Sequence, residues 1–340
     1  MQIQRYTVQA GNLKNLRLET HSLPAPGPGE VRVAVRAVGL NFADVFAIWG
    51  LYKAAPKTAF TPGLEFSGTV ESVGEGVSTL RPGDRVMGVT RFGGYTSGLN
   101  IDARYVIPLP AEWSFNTGSA YLVQTLTAYY GLVTLGNMQP GQALLIHSIA
   151  GGVGLQALKI AKARGCFVVG TVGNAGKVAL AEATGCDRVL VRGPQFEAEL
   201  RAALGERPLE LVFDTVGGRY FTIPFRLLAP MGRLIVLGAS RYATVGNKPN
   251  ILHMLRHFLT RPKVDPQDLP NRNKGIFGFN LIYLYERVEL MHQLLQELDQ
   301  LRLAPPHVGH VLPFGKMHDA IRLFQSGKTM GKVVLEVDGE

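Results

Sequence analysis

The stretch HSIAGGVGLQALKIAKARG, residues 147–165, places Gly151, Gly152 and Gly154 in a turn between an apolar strand pattern at 143–146 and a helical pattern. Strand, glycine turn and helix is an arrangement that seats a phosphate, because unpaired N–H groups and the helix dipole favour an anion at a helix N-terminus. The match to the dinucleotide pattern GxGxxG is imperfect. With Gly154 as the last glycine the first position is Ile149, whereas Gly152-x-Gly154-x-x-Ala157 fits the form ending in alanine. No Lys-Ser/Thr pair follows, so the turn is not a Walker loop. A purely structural turn is the alternative; further strand–helix units downstream favour a dinucleotide pyrophosphate.

About twenty residues on, an NAD site places Asp or Glu against the ribose 2′-hydroxyl. Here the sequence reads GTVGNAGK, with Val172, Gly173 and Asn174 and no acid, while Lys177 and Arg192 lie close by. A missing acid with nearby cations suits a 2′-phosphate, hence NADPH. The plainer reading makes Lys177 an ordinary exposed helix lysine.

The elements that must position this turn follow from periodicity. The first 110 or so residues read as β structure: GEVRVAVRAVGL alternates, and glycine and proline recur at short intervals, as in a small irregular barrel. From about Thr125 the rhythm becomes alternating: strands at 143–146, 167–171, 188–191, 209–213 and 233–237, with helices after Gly152, around 177–183 and at 196–204. Alternation of this kind implies a parallel sheet with ligands at the strands' carboxyl ends. Residues 149–154, 171–173, 214–217 and 238–240 would then line one crevice. Residues 241–280 read as irregular, 284–301 as a long helix, and GKVVLEV as a closing strand.

Composition excludes several classes. The 340 residues are 46% hydrophobic and 18% charged, which is too apolar for a disordered chain and enough for two domains. Two cysteines, Cys166 and Cys186, give neither a disulfide framework nor a CxxC metal knuckle. With no apolar leader in MQIQRYTVQA, a cytoplasmic protein is expected. The charge-free run between Glu112 and Lys159 is broken by GNMQPGQ and IAGGVG, so it reads as a buried seam and no membrane span is expected. The net charge of +9 is scattered, and aspartates and prolines interrupt the densest basic stretch, 248–274, so no nucleic-acid partner is expected.

Four segments in order, GLNFADVFAIWGLY, PGLEFSGTVESVGEGVSTLRPGDRVMG, QTLTAYYGL and the glycine turn, resemble the zinc-free quinone oxidoreductases of the medium-chain dehydrogenase/reductase superfamily. The stretch NKGIFGFNLIYLYERVELM is similar to the branch named for the vesicle amine transport protein. The resemblance implies an α/β chain with a GroES-like β domain at 1–122 and a doubly wound Rossmann domain at 123–270. A C-terminal segment, 271–340, would return to complete the first domain. The active site would lie in the interdomain cleft of a homodimer.

The positions at which zinc-dependent relatives carry Cys, His and Cys fall on Asn41, Leu64 and Val123, none of which replaces a thiolate or imidazole. Without a Lewis acid, the fitting acceptor is a quinone or activated enone, whose oxyanion is resonance-stabilised and needs only hydrogen-bond donors. The resemblance places Asn41, Tyr52 and Thr127 at the catalytic cleft. It places Phe42, Asp44, Phe46 and Tyr130 beside the nicotinamide half, and Gly152 and Val153 at the pyrophosphate. Gly173, Lys177 and Arg192 would meet the 2′-phosphate, and Leu237, Gly238, Ser240, Phe277, Phe279 and Asn280 would close over the dinucleotide. Asn41 could instead cap a helix beginning at Phe42, and Tyr52 could simply pack. Competing functions are a reductase of 2-enoyl thioesters, which needs a long apolar channel, and a weakly catalytic NADPH-binding trafficking protein.

Overall fold

The computed structural model describes residues 1–238 and 240–337. A two-stranded ribbon, β1 (Gln2–Thr7) and β2 (Arg17–Ser22), precedes a larger sheet. Its centre is β3 (Glu30–Gly39), where Val31, Val33 and Val35 are buried and the intervening residues half-buried, the alternation of a strand with one face on a core. The helix α1 (Phe42–Ile48) follows at once. The strands β4 (Glu65–Val73), β5 (Arg85–Val89), β6 (Gly98–Asp102) and β7 (Val106–Pro108) complete the run. Two short helices, α2 (Phe115–Gly118) and α3 (Leu122–Tyr129), lead out of it.

The second layer is an alternating unit: β8 (Ala143–Ile146), α4 (Gly152–Ala163), β9 (Phe167–Val172), α5 (Val178–Ala183), β10 (Arg188–Val191), α6 (Phe196–Leu204), β11 (Leu209–Asp214), α7 (Arg219–Leu227) and β12 (Leu228–Val236). Past α8 (Ile251–Leu259) and α9 (Asp268–Arg272), β13 (Gly275–Gly278) joins the same sheet. All its pairings are parallel, in the order β10-β9-β8-β11-β12-β13. The chain winds outward one way from β8 and the other way from β11, so the switch point at which such sheets bind ligands lies between those two strands. The chain then runs through α10 (Val288–Asp299) and back to the first sheet. There β14 (Val308–Pro313) and, after α11 (Met317–Gln325), β15 (Lys332–Glu336) give the order β14-β15-β3-β4-β5-β7.

The alternating architecture expected from the sequence is present, and three details differ. Strand β13 extends the nucleotide-type sheet past residue 270, because its four residues pair with β12 through Arg233–Val236. The stretch 241–280 holds α8 as well as β13. Helix α8 is capped by Asn250, whose side chain accepts from the His253 N–H at 3.0 Å, and basic residues and nearby prolines mask its period in the sequence. The long helix is shorter than 284–301, since 281–284 forms a separate 3-10 turn before α10.

Candidate active site

Gly151 is the N-cap of α4 and Gly152 its first residue, directly after the β8 turn. A Cβ on Gly152 would lie 1.5 Å from Gln124 Oε1 of α3, and one on Gly154 would lie 2.4 Å from the Ser148 carbonyl oxygen. Both glycines are therefore fixed by close approach of neighbouring backbone or side chain, and the α4 N-terminus stands at the switch point. Val153 reaches the interdomain cleft.

At the end of β9, Gly173 faces Arg192, whose guanidinium a Cβ there would approach to 3.0 Å. Arg192 is half-buried beside Ser148 Oγ and Thr171 Oγ1, at 3.5 and 3.4 Å, and lies over the Tyr220 ring. It makes no ion pair among the described residues. Burial, and secondarily the Arg192 charge, push the Lys177 ammonium below its ordinary value. Arg192 and Lys177 thus lie near one another, and neither is ion-paired among the described residues. Lys177 is also tied down: its Nζ donates to the carbonyls of Gly327 and Thr329, at 2.6 and 2.7 Å. It pins the segment before β15, so Arg192 is the freer cation.

The cleft between the domains has an empty volume of about 1080 Å³ including its open mouth. Asn41, Phe42, Tyr52, Thr127, Val153, Leu237, Phe279 and Asn280 line it together with apolar groups that spacing did not reveal, notably Leu290, Met291 and Leu294 of α10. A long helix with an apolar stripe was legible, but its stripe faces the cleft as well as the core.

The polar wall is a buried network. The Lys332 ammonium of β15 is ion-paired with Glu65 of β4 and donates to Asn41 Oδ1 at 2.8 Å. Asn41 Nδ2 donates to Glu65 Oε1 at 2.9 Å, and the Val123 N–H to Glu65 Oε2 at 3.1 Å. Two of the three positions at which zinc ligands would fall, Asn41 and Val123, are therefore tied to the Glu65–Lys332 ion pair, and the third, Leu64, precedes Glu65 in the chain. A carboxamide, two aliphatic side chains and a cation do not fit zinc, and among the described residues no cluster of three His, Cys, Asp or Glu side chains could hold a metal. Lys332 had no sequence signal beyond a lone lysine at a strand start.

Several expected residues take other roles. Asn41 keeps its carboxamide for Lys332 and Glu65 and does not aim it at an acceptor. Asp44 is buried in the capping box of α1, accepting the Asn41 N–H at 2.8 Å and the Tyr95 hydroxyl at 2.6 Å, so it stands behind the cleft. Burial pushes its carboxyl up to about 6 against the pull of those donors. Phe46 packs between Phe42 and Trp49. Tyr130 does not line the cleft but packs edge-on against Phe279, at 5.1 Å between centroids. Phe277 does not line the cleft but lies under the Arg233 guanidinium, 5.4 Å from its ring centroid. Gly238 and Ser240 follow β12, the Ser240 N–H donating to the Thr215 carbonyl at 2.9 Å, while Ala239 between them lies outside the described residues. Tyr52 donates its hydroxyl hydrogen across the cleft to Asn280 Oδ1 at 2.7 Å. Burial pushes the Tyr52 phenol up to about 12, so it is neutral at physiological pH.

The family model "Alcohol dehydrogenase GroES-like domain" matches residues 27–111, and "Zinc-binding dehydrogenase" matches 152–297. The synaptic vesicle membrane protein VAT-1 homolog of Rattus norvegicus is 35% identical over 316 residues, 92% of this chain and 78% of that protein. The chain belongs to the medium-chain dehydrogenase/reductase superfamily, in its VAT-1-like branch. Among solved structures, CurK enoyl reductase is similar at a TM-score of 0.85 and 27% identity, covering 99% of each chain. The Escherichia coli quinone oxidoreductase complexed with NADPH is similar at 0.84 and 27%, over 98% of this chain and 99% of that one. These likenesses make the chain an oxidoreductase of that fold. No helix of the described residues is long and apolar enough to cross a membrane.

Proposed function

We propose that this protein is an NADPH-dependent oxidoreductase that passes hydride to quinones or activated enones without zinc. One observation carries the reading: from the strand end at Gly173, where Arg192 and Lys177 place two cations, the ligand edge of the sheet runs past the α4 N-terminus to an apolar cleft that Val153, α3 and α10 line. The first end suits a 2′-phosphate, the middle a pyrophosphate, and the other an aromatic or enone acceptor. Bound there, NADPH would supply the hydride. Arg192 would hold the adenosine phosphate, and Gly152 and Val153 would let the pyrophosphate approach the helix end. Phe42 and Phe279 would wall the nicotinamide and exclude water, while Thr127 would stand beside it. The likeness to a quinone oxidoreductase complexed with NADPH supports this reading, and a homodimer is part of the proposal.

The apolar depth of the cleft also favours a second reading, reduction of 2-enoyl thioesters, supported by the likeness to CurK enoyl reductase. Oxidation of NADPH with 1,4-benzoquinone, simple enones and crotonyl-CoA separates the two. Quinone or enone turnover well above thioester turnover is expected. NADPH binding with turnover of none of them would contradict both.

A further inference from the structure

Resting on that functional reading, we propose that the side-chain amide of Asn280 donates the hydrogen bond to the acceptor's carbonyl oxygen, with Tyr52 as its positioning residue. Both groups first expected to serve as donors are already committed. Asn41 gives its amide hydrogens to Glu65 Oε1 and the Gly39 carbonyl, at 2.9 and 3.4 Å. Tyr52 gives its hydroxyl hydrogen to Asn280. Two further polar groups at the cleft are spent likewise: the Tyr105 hydroxyl goes to the Tyr285 carbonyl and the Thr90 hydroxyl to the Phe92 carbonyl. Arg287 is exposed at the rim.

Asn280 differs from all of these. It is the N-cap of the turn at 281–284, yet its side chain makes no capping bond, although capping is the usual use of Asn at such a position. The carboxamide instead spans the cleft to Tyr52. Because a phenol hydrogen can be accepted only by the amide oxygen, the bond fixes the rotamer sense of Asn280 and leaves Nδ2 on the other side of the group. Nδ2 has no partner among the described residues, and Asn280 lines the cleft beside Tyr52, Thr127 and Phe279. Thr127 is also uncommitted, but its hydroxyl rotates freely with nothing to orient it among the described residues.

When hydride adds to the β-carbon of an enone, the C=C electron pair moves toward the carbonyl oxygen, and water later supplies the proton. An oriented N–H at that oxygen favours the charge as it develops. The Tyr52–Asn280 bond spans the cleft and is already made without an acceptor, so the donor is oriented in advance.

The test compares wild type with Asn280→Asp, Asn280→Ala and Tyr52→Phe. Asn280→Asp can still accept the Tyr52 hydrogen, so it keeps the bond across the cleft while losing the donor and adding a negative charge at neutral pH, and Asn280→Ala removes the donor without adding charge. Both Asn280 variants are expected to lose roughly 100-fold in kcat/KM for an enone, with the NADPH dissociation constant within about twofold and Tyr52→Phe falling between. Asn280→Asp should regain activity as pH falls through its carboxyl pKa, since the protonated acid can donate. The infrared carbonyl stretch of a ¹³C-labelled enone bound with NADP⁺ should lie at lower wavenumber in wild type and return toward its unbonded value in Asn280→Asp at neutral pH. Wild-type kcat/KM and an unchanged stretch in Asn280→Asp would overturn the proposal and leave Asn280 as a latch. A large loss of NADPH affinity in both variants would overturn it in favour of a cofactor contact. A wild type that binds NADPH but reduces no quinone or enone would refute the functional reading, while the infrared shift would still decide whether Asn280 bonds the carbonyl.

Discussion

Replacing Lys332 with Met should be the most costly single change in the polar wall of the cleft. The side chains of Lys332 and Glu65 are 3% and 1% exposed, so neither charge can fall back on water. Without the ammonium, Glu65 keeps only two neutral donors, Asn41 Nδ2 and the Val123 N–H, and Asn41 Oδ1 loses its donor. Stranding one member of a buried ion pair costs about 3–5 kcal/mol. At about 2 °C per kcal/mol for a large domain, the melting temperature should drop by roughly 6–10 °C. The assay is a double-mutant cycle by urea and thermal unfolding with Lys332→Met, Glu65→Gln and the pair. The carboxamide introduced by Glu65→Gln would still accept the Val123 N–H while removing the charge, so the double variant should cost at least about 2 kcal/mol less than the two singles together. A loss below about 1 kcal/mol for Lys332→Met, or strict additivity, would refute the reasoning that these charges depend on each other.

Three further outcomes are expected. Arg192→Ala should weaken NADPH by roughly 10- to 100-fold, the worth of a charge-assisted bond to phosphate, and leave NADH nearly unchanged in fluorescence titrations; equal weakening of both would mean Arg192 does not read the 2′-phosphate. Asp44 has its carboxyl raised from 3.8 to about 6, so the folded state holds that proton more tightly than the unfolded chain does. Its contribution to stability is therefore present below about pH 4 and is lost as pH rises through about 6. Asp44→Asn should flatten that fall, and parallel wild-type and variant curves between pH 4 and 7 would contradict the assignment. Metal analysis of active protein should find far less than one zinc per chain, with activity indifferent to chelator; stoichiometric zinc with activity lost to chelator would contradict the misfit of Asn41, Leu64 and Val123.

The fold was largely legible because its signals are local: the alternation of Val31, Val33 and Val35, and the strand–glycine–helix run through Gly152. The cationic end was legible for a similar reason, since an absent acid at 172–174 and the nearby Lys177 and Arg192 are matters of residue type. What spacing could not supply was partnership. Lys332 and Glu65 lie 267 residues apart and meet only because β15 returns to β3. The direction of the Asn41 carboxamide depends on that meeting, and the free face of Asn280 on Tyr52, 228 residues away. Helix α8 was missed for a different reason. The basic residues and prolines of 248–274 read as a solvated loop and masked the helical spacing of Ile251, Leu252, Leu255, Phe258 and Leu259, which are exposed in the structure.

The central claim, that a nicotinamide held at the α4 N-terminus gives its hydride directly to an acceptor in the apolar cleft, is tested by isotope transfer. Wild-type protein is mixed with NADPH deuterated at one face of C4 and with an enone in ordinary water, and the product is read by NMR. The account predicts one deuterium per molecule at the β-carbon, from one C4 face only, and ordinary hydrogen at the α-carbon. NADPH oxidation that leaves no deuterium in the product whichever C4 face is labelled, or tight NADPH binding with no reduction of any quinone or enone, would contradict it.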